Sequence, residues 1–197
     1  MLEAWVYETA ARLMFGPITG LSEVRRELLD ASALGAHTSV LEVGCGPGSL
    51  TRAMLDRGAH VTAVDASRAM LSAARRRAPE ATFHLGDVLT FAPDGEFDVI
   101  VASFILHELP PAELPGLVAR FANRLAPHGR VVLVDHAMPT SGTMRSVWGS
   151  VLRLVETPTI AGWLALEPAT LLTKAGLGVR DDRHLAGGRA RLIVGGR

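Results

Sequence analysis

The stretch VLEVGCGPGSL, Val40 to Leu50, sets three glycines and a proline behind an apolar run that carries a carboxylate. Further on, VTAVDAS presents Asp65 roughly twenty residues after Gly44, HLGDV presents Asp87, FDVIVASFILHEL carries Ser103 and His107, and LAPHGRVVLVDH ends in His136. These types and spacings suit a ligand with an adenine ring, a sugar diol and a charged arm. Gly44 and Gly46 allow a tight turn and a close backbone approach where a Cβ would collide. Gly48 leads into a helix whose first amides favour an anion. A carboxylate at Asp65 can accept from both hydroxyls of a diol, and one at Asp87 can accept from an exocyclic amine. Each residue alone has a plainer role: Asp65 as a helix cap, Asp87 as a turn residue, His107 as a solvated residue at a helix start. Their order, one at each of several successive strand ends, is what points to a site.

The elements that position them are short apolar runs alternating with amphipathic stretches. The pattern predicts strands at Ser39–Val43, His60–Val64, Ala81–His84, Phe97–Ala102, Arg130–Val134, Val179–Arg183 and Arg189–Val194. Helices are expected at Glu3–Met14, Ser22–Leu34, Ser49–Asp56, Arg68–Arg77, Ala112–Leu125 and Pro168–Ala175, with Ser22 as a cap and Leu21, Val24, Leu28 and Leu29 as an apolar stripe. The stretch after Asp135 reads as irregular and apolar to Leu166. Continuously apolar strands alternating with helices imply an α/β fold, a seven-stranded mostly parallel sheet covered on both faces. In such a sheet, ligands bind outside the carboxyl ends of the strands, where Gly44, Asp65, Asp87 and Ser103 fall.

Composition narrows the function. The chain has 197 residues and balances 20 basic against 20 acidic side chains, which excludes a basic field for nucleic acid. One domain, 1–197, is expected, without repeats or a low-complexity linker. A single cysteine, Cys45, leaves no disulfide framework and no cysteine metal cluster. No secretory signal or membrane span is visible, since the longest apolar stretch is broken by Arg153, Glu156 and Pro158. A cytoplasmic bacterial protein, monomeric or homodimeric, fits these features and the preference for arginine over lysine.

On these residues the chain resembles the class I S-adenosylmethionine-dependent methyltransferases, in the branch similar to ubiquinone-biosynthesis enzymes. LEVGCGPG matches the first motif of that family, with Glu42, Gly44, Gly46 and Gly48 in place, and LAPHGRVVLVD matches its fifth-strand motif. The resemblance is strong over Ser39–Asp135 and weak in the flanks. It implies a Rossmann-like fold and S-adenosyl-L-methionine as cofactor, with S-adenosyl-L-homocysteine as product. Gly44 to Gly46, Cys45 included, would surround the methionine part. Asp65 beside Ala66 would hold the ribose, Gly86, Asp87 and the Val88 amide would meet adenine, and Ser103 would lie near the sulfonium. It also implies a helical lid over residues 1–36, placing Tyr7 against the methionine end, and a variable acceptor-binding segment at 138–166. A nicotinamide fingerprint fits less well, because its third glycine falls on Ser49 and two helices precede the motif.

Methyl transfer from a sulfonium is an in-line displacement, so it asks chiefly for positioning and a dry pocket. A hydroxyl acceptor would also use a base, and His107 and His136 are the candidates. No metal is expected, because His107 with Glu108 and Asp135 with His136 read as adjacent pairs pointing in different directions. Cys45 reads as a small apolar filler of the loop. Met138, Met144, Trp148, Val151, Leu152, Val155, Trp163 and Leu164 could wall an apolar acceptor, although Val147, Val151, Leu154 and Val155 also have the spacing of one helix face. The expected activity is therefore methylation of a small, largely apolar metabolite in specialised biosynthesis. The alternatives are a cofactor-binding cyclase or rearrangement enzyme of the same fold and a lipid-amine N-methyltransferase.

Overall fold

The computed structural model of the chain describes residues 20–140, 142–155 and 157–197. The expected helix at Glu3–Met14, and Tyr7 within it, lie outside the described residues. The first described helix, α1 (Leu21–Ala31), buries Val24, Leu28 and Leu29, the stripe read from the sequence. It starts one residue before Ser22, with Gly20 at the cap position and no side-chain cap, so Ser22 does not cap it. It also stops short of Leu34: Ala33 takes a positive φ of 48°, and the Ser32 hydroxyl donates back to the Leu28 carbonyl.

From there strands and helices alternate: β1 (Ser39–Val43), α2 (Ser49–Leu55), β2 (His60–Asp65), α3 (Arg68–Arg77), β3 (Thr82–Leu85) and β4 (Phe97–Ser103). Short 3-10 turns at Leu106–Glu108 and Pro111–Glu113 lead into α4 (Leu114–Asn123). Pro110 and Pro111 explain why α4 begins later than Ala112. Then come β5 (Leu125–His136), α5 (Gly142–Val155), α6 (Ile160–Ala165), α7 (Pro168–Lys174), β6 (Gly178–Leu185) and β7 (Ala190–Gly196).

The strands form one sheet in the order β3-β2-β1-β4-β5-β7-β6. Neighbours from β3 to β5 are parallel, while β7 runs antiparallel to both β5 and β6. Switching from β1 outward to β2 and β3 on one side and to β4 and β5 on the other creates the crevice above β1 and β4. The central strands are buried almost throughout, with Val40, Ala63, Ile100, Val101, Val132 and Val134 at 0% exposure, as a sheet covered on both faces requires.

Two readings need correction. Strand β5 is longer than Arg130–Val134: it takes in LAPHG through a register irregularity opposite Phe97–Val99, and it continues through Asp135 to His136. A Cβ on Gly129 would stand 2.9 Å from the Ala126 carbonyl oxygen and 3.1 Å from that of Asp98, so only glycine fits this bend. The segment after Asp135 is not irregular, because it holds α5 and α6. The helical spacing of Val147, Val151 and Leu154 was thus real, but it does not mark one buried stripe: Val147 and Leu154 are exposed, Val151 is half-buried against the core, and Trp148 and Leu152 are buried.

Candidate active site

The loop after β1 is held from both sides. The amides of Gly44 and Cys45 donate to the Val64 carbonyl at 2.9 and 3.2 Å, tying the loop to β2. Gly44, Gly46 and Gly48 all have positive φ, but for different reasons. A Cβ on Gly44 would meet Ile105 Cγ1 at 2.6 Å, and one on Gly48 would meet Ala74 Cα at 2.8 Å. Those two glycines let the loop pack against the segment after β4 and against α3. A Cβ on Gly46 would meet nothing within 4 Å among the described residues. Of the three, only Gly46 is uncrowded among the described residues, so it is the one that shapes a cradle.

Asp65 stands at the end of β2 and braces that cradle. Its carboxylate accepts from the Gly46 amide at 2.7 Å and from the Ser67 amide at 2.8 Å, and its main-chain carbonyl accepts from Gly86 at 3.1 Å. Asp65, with Ala66 exposed beside it, thus links the first loop to the loop that follows β3. There Asp87 is exposed and accepts from the Leu89 amide at 2.8 Å, a local turn, while Val88 is buried. Ser103, half-buried, ends β4 beside Val134 of β5.

Glu42 and Cys45 lie beneath the loop. The Thr51 hydroxyl donates to Glu42 at 2.5 Å, and Glu42 is 2% exposed. Burial pushes its carboxyl up to about 8, with Asp65 adding to the shift and the Thr51 bond opposing it. Glu42 therefore supports the loop from behind through α2. Burial, reinforced by Glu42 and Asp65, also pushes the Cys45 thiol up, which keeps it protonated and matches its reading as filler. The Glu42 shift has a consequence for stability. The folded state holds this proton until about pH 8, whereas the unfolded chain releases it near 4.5, so stability falls as pH rises through that window. In urea denaturation between about pH 5 and pH 9, Glu42→Gln should remove that component of the fall. Parallel pH curves for the two proteins would show that Glu42 ionises normally.

The third group gathers at the ends of β4 and β5. His107 and His136, read as pointing apart, converge with Asp135: one ligand-capable atom from each lies within 4.8 Å of the others, and all three residues are buried. His107 Nδ1 is 2.7 Å from Asp135 Oδ1. The same carboxylate accepts from the backbone amides of Leu106 (2.9 Å), His107 (3.2 Å) and His136 (2.7 Å). Four donors fill the roughly four lone-pair positions of a carboxylate. Asp135 is thereby an orienting group and has no lone pair left for a cation. The His136 ring meets that of His107 edge-on at 4.6 Å between centroids, with Phe104 at 5.1 Å.

Sequence reasoning missed Asp135 as a site residue. Its signal was a carboxylate on an otherwise apolar central strand, a place that demands partners. It also missed Phe104, a bulky residue at φ 52°, a conformation that costs on the order of 1–3 kcal/mol and here starts the turn carrying His107. The roof comes from α5 and α6. Trp148 Nε1 donates to the Ala137 carbonyl (3.0 Å), Trp163 Nε1 to that of His136 (2.8 Å), and the Thr159 hydroxyl to that of His107 (2.6 Å). An adjoining cavity of about 200 Å3 is lined by Asp135, His136, Met138, Trp163 and Leu166 on one side and by the charged or polar Arg145, Glu167, His184 and Arg191 on the other.

The profile of a family described as a methyltransferase domain matches residues 40–129. Along nearly its whole length the chain is similar to an uncharacterized methyltransferase of Synechocystis sp., 31% identical over 191 residues that cover 96% of this chain and 90% of the relative. A trans-aconitate 2-methyltransferase of Methylobacterium radiotolerans is 38% identical over 152 residues, 73% of this chain, and the match spans 58% of that enzyme's length. Among solved structures, the N-methyltransferase NodS of Bradyrhizobium japonicum WM9 in complex with S-adenosyl-L-homocysteine shares the fold, with a TM-score of 0.68 at 21% identity over 89% of this chain and 86% of that one.

Proposed function

This chain belongs to the class I S-adenosylmethionine-dependent methyltransferases, and we propose that it methylates a small, largely apolar acceptor whose hydroxyl proton is taken by His107. The observation that carries this reading is the buried His107–Asp135 pair at 2.7 Å. A carboxylate on Nδ1 fixes the ring as the tautomer that presents Nε2 as a base, and the backbone amides on Asp135 hold the carboxylate in place.

When bound, S-adenosylmethionine supplies an electrophilic methyl group on a sulfonium and leaves as S-adenosylhomocysteine. The chain's residues fit such a ligand: no described residue stands within 4 Å of a Cβ on Gly46, and Asp65, with two amides on its carboxylate, retains lone pairs for the ribose diol. Asp87 with Val88 would meet adenine, and Ser103 the methionine end. Trp148 and Trp163 fix the roof over the two histidines and exclude water from them. The apolar side chains of residues 138–166, Met138, Trp148, Trp163 and Leu164 among them, support an apolar acceptor. The whole chain then acts as one domain, with α1 packed on the sheet as part of the core.

Release of S-adenosylhomocysteine, followed with a panel of apolar phenols, alcohols and amines at acidic and alkaline pH, tests the reading. Hydroxyl acceptors should turn over faster at alkaline pH. Turnover of amines alone, with no dependence on pH, would remove the base from the mechanism. A second expectation concerns the cradle. Asp65→Ala should weaken S-adenosylhomocysteine binding about a hundredfold, the equivalent of 2–3 kcal/mol for a pair of charge-assisted bonds. Calorimetry finding unchanged affinity in a folded variant would take Asp65 out of the site.

A further inference from the structure

We propose that the cavity between the sheet, the β3–β4 connection and α4 is a second ligand site, one that takes a small apolar carboxylate. Residues 86–96 join β3 to β4 without a helix among them. The face of β1 and β2 formed by Leu41, Val43 and Val64 is therefore roofed only by this connection and by Leu117 and Phe121 of α4, which leaves about 220 Å3.

The walls are apolar, and the charged residues lining the cavity are two arginines, Arg120 and Arg124, with no acidic residue. Arg120 Nη2 donates to the Leu89 carbonyl at 2.5 Å, which holds its guanidinium at the cavity's edge. Arg124 reaches the Gly95 carbonyl only at 3.5 Å. No ion pair to a carboxylate among the described residues joins either arginine. A guanidinium on an apolar wall with no carboxylate beside it among the described residues is the group whose planar fork a ligand carboxylate matches. An apolar cavity of about 150 Å3 accepts benzene, so this one has room for a phenyl ring and a short acid arm. The ring would lie among Val43, Val64 and Phe121, with the acid at Arg120. The cavity shares Val88 with the proposed adenine contact, but neither Gly46 nor Asp65 lines it, and it does not depend on the reading of the histidines.

Hydrocinnamate, the phenylpropionate anion, is the probe. Calorimetry on the full chain should give a dissociation constant of roughly 0.1–1 mM, in keeping with a ligand of this size. Hydrocinnamyl alcohol, of the same shape without the charge, should bind at least tenfold more weakly, and Arg120→Gln should lose at least tenfold for the acid. Leu117→Phe, which fills the space from α4, should lose binding. Both variants should bind S-adenosylhomocysteine as the wild type does, which shows that they are folded. The proposal is overturned if the acid does not bind, if alcohol and acid bind alike, if Arg120→Gln binds the acid unchanged, or if S-adenosylhomocysteine displaces the acid competitively.

Discussion

Asp135→Ala should cost on the order of 5 kcal/mol of folding stability, the largest loss expected from any single substitution at this site. The side chain is inaccessible to solvent and holds four donors: the amides of Leu106, His107 and His136 and the His107 ring. Truncation leaves three backbone N–H groups buried in a space too apolar to hydrate them, and each unsatisfied donor costs about 1–3 kcal/mol. It also strips the imidazole N–H of its acceptor, one more buried donor left at about 1–3 kcal/mol. These terms overlap, so they do not add fully. The turn at Leu106–Glu108 hangs on this carboxylate and carries Ile105 against Gly44, so the loss should extend to the loop after β1. Asp135→Asn is the informative control. Its carbonyl oxygen can still accept two of the amides, but its NH2 meets the other donors, so an intermediate loss is expected. Urea denaturation measures both variants. A loss below about 1 kcal/mol for the alanine variant would mean that water or a rearranged turn satisfies those amides.

How much of this was readable in advance differs between the two halves of the site. The cradle was legible because its signals are local. A glycine loop after an apolar strand and a carboxylate at the end of the next one lie within a single β-α-β unit, and Asp65 does brace Gly46 across it. Even so, the sequence could not say which glycine serves the ligand side. That depends on Ile105 crowding Gly44 and Ala74 crowding Gly48, contacts made across the fold. The histidine cluster was illegible for a deeper reason. His107 and Asp135 are 28 residues apart on adjacent strand ends, and their meeting depends on β5 running unbroken to His136. With the strand ended at Val134, Asp135 and His136 became loop residues with no fixed direction. The roof was missed because Gly142, Gly149 and Pro158 argue against helix in a segment whose helices are held by tertiary contacts, Trp148 and Trp163 among them. Propensity gave way there to packing.

Replacing His107 by Gln should lower turnover on a hydroxyl acceptor about a hundredfold or more while leaving S-adenosylhomocysteine affinity nearly unchanged. Glutamine is close to histidine in size and can still donate to Asp135 from its side-chain amide, so the fold should survive and only the proton acceptor is lost. His136→Gln should cost less, roughly tenfold, because that ring meets His107 edge-on while the Asp135 carboxylate is engaged by the His107 ring. A merely structural role for His107 would move stability, or the Michaelis constant and turnover together. A base lowers turnover and also removes the acid limb of the pH profile, because that limb exists only while an imidazole must be neutral to accept the proton. If the wild type loses rate toward acid and the His107→Gln variant, slower throughout, does not, the proton goes to His107. If His136→Gln suffers the larger fall and loses the limb instead, the base is the neighbouring ring and the Asp135 pair only braces it. If both variants keep full turnover and the wild-type profile is flat, positioning alone drives transfer, and the acceptor is an atom already nucleophilic at neutral pH.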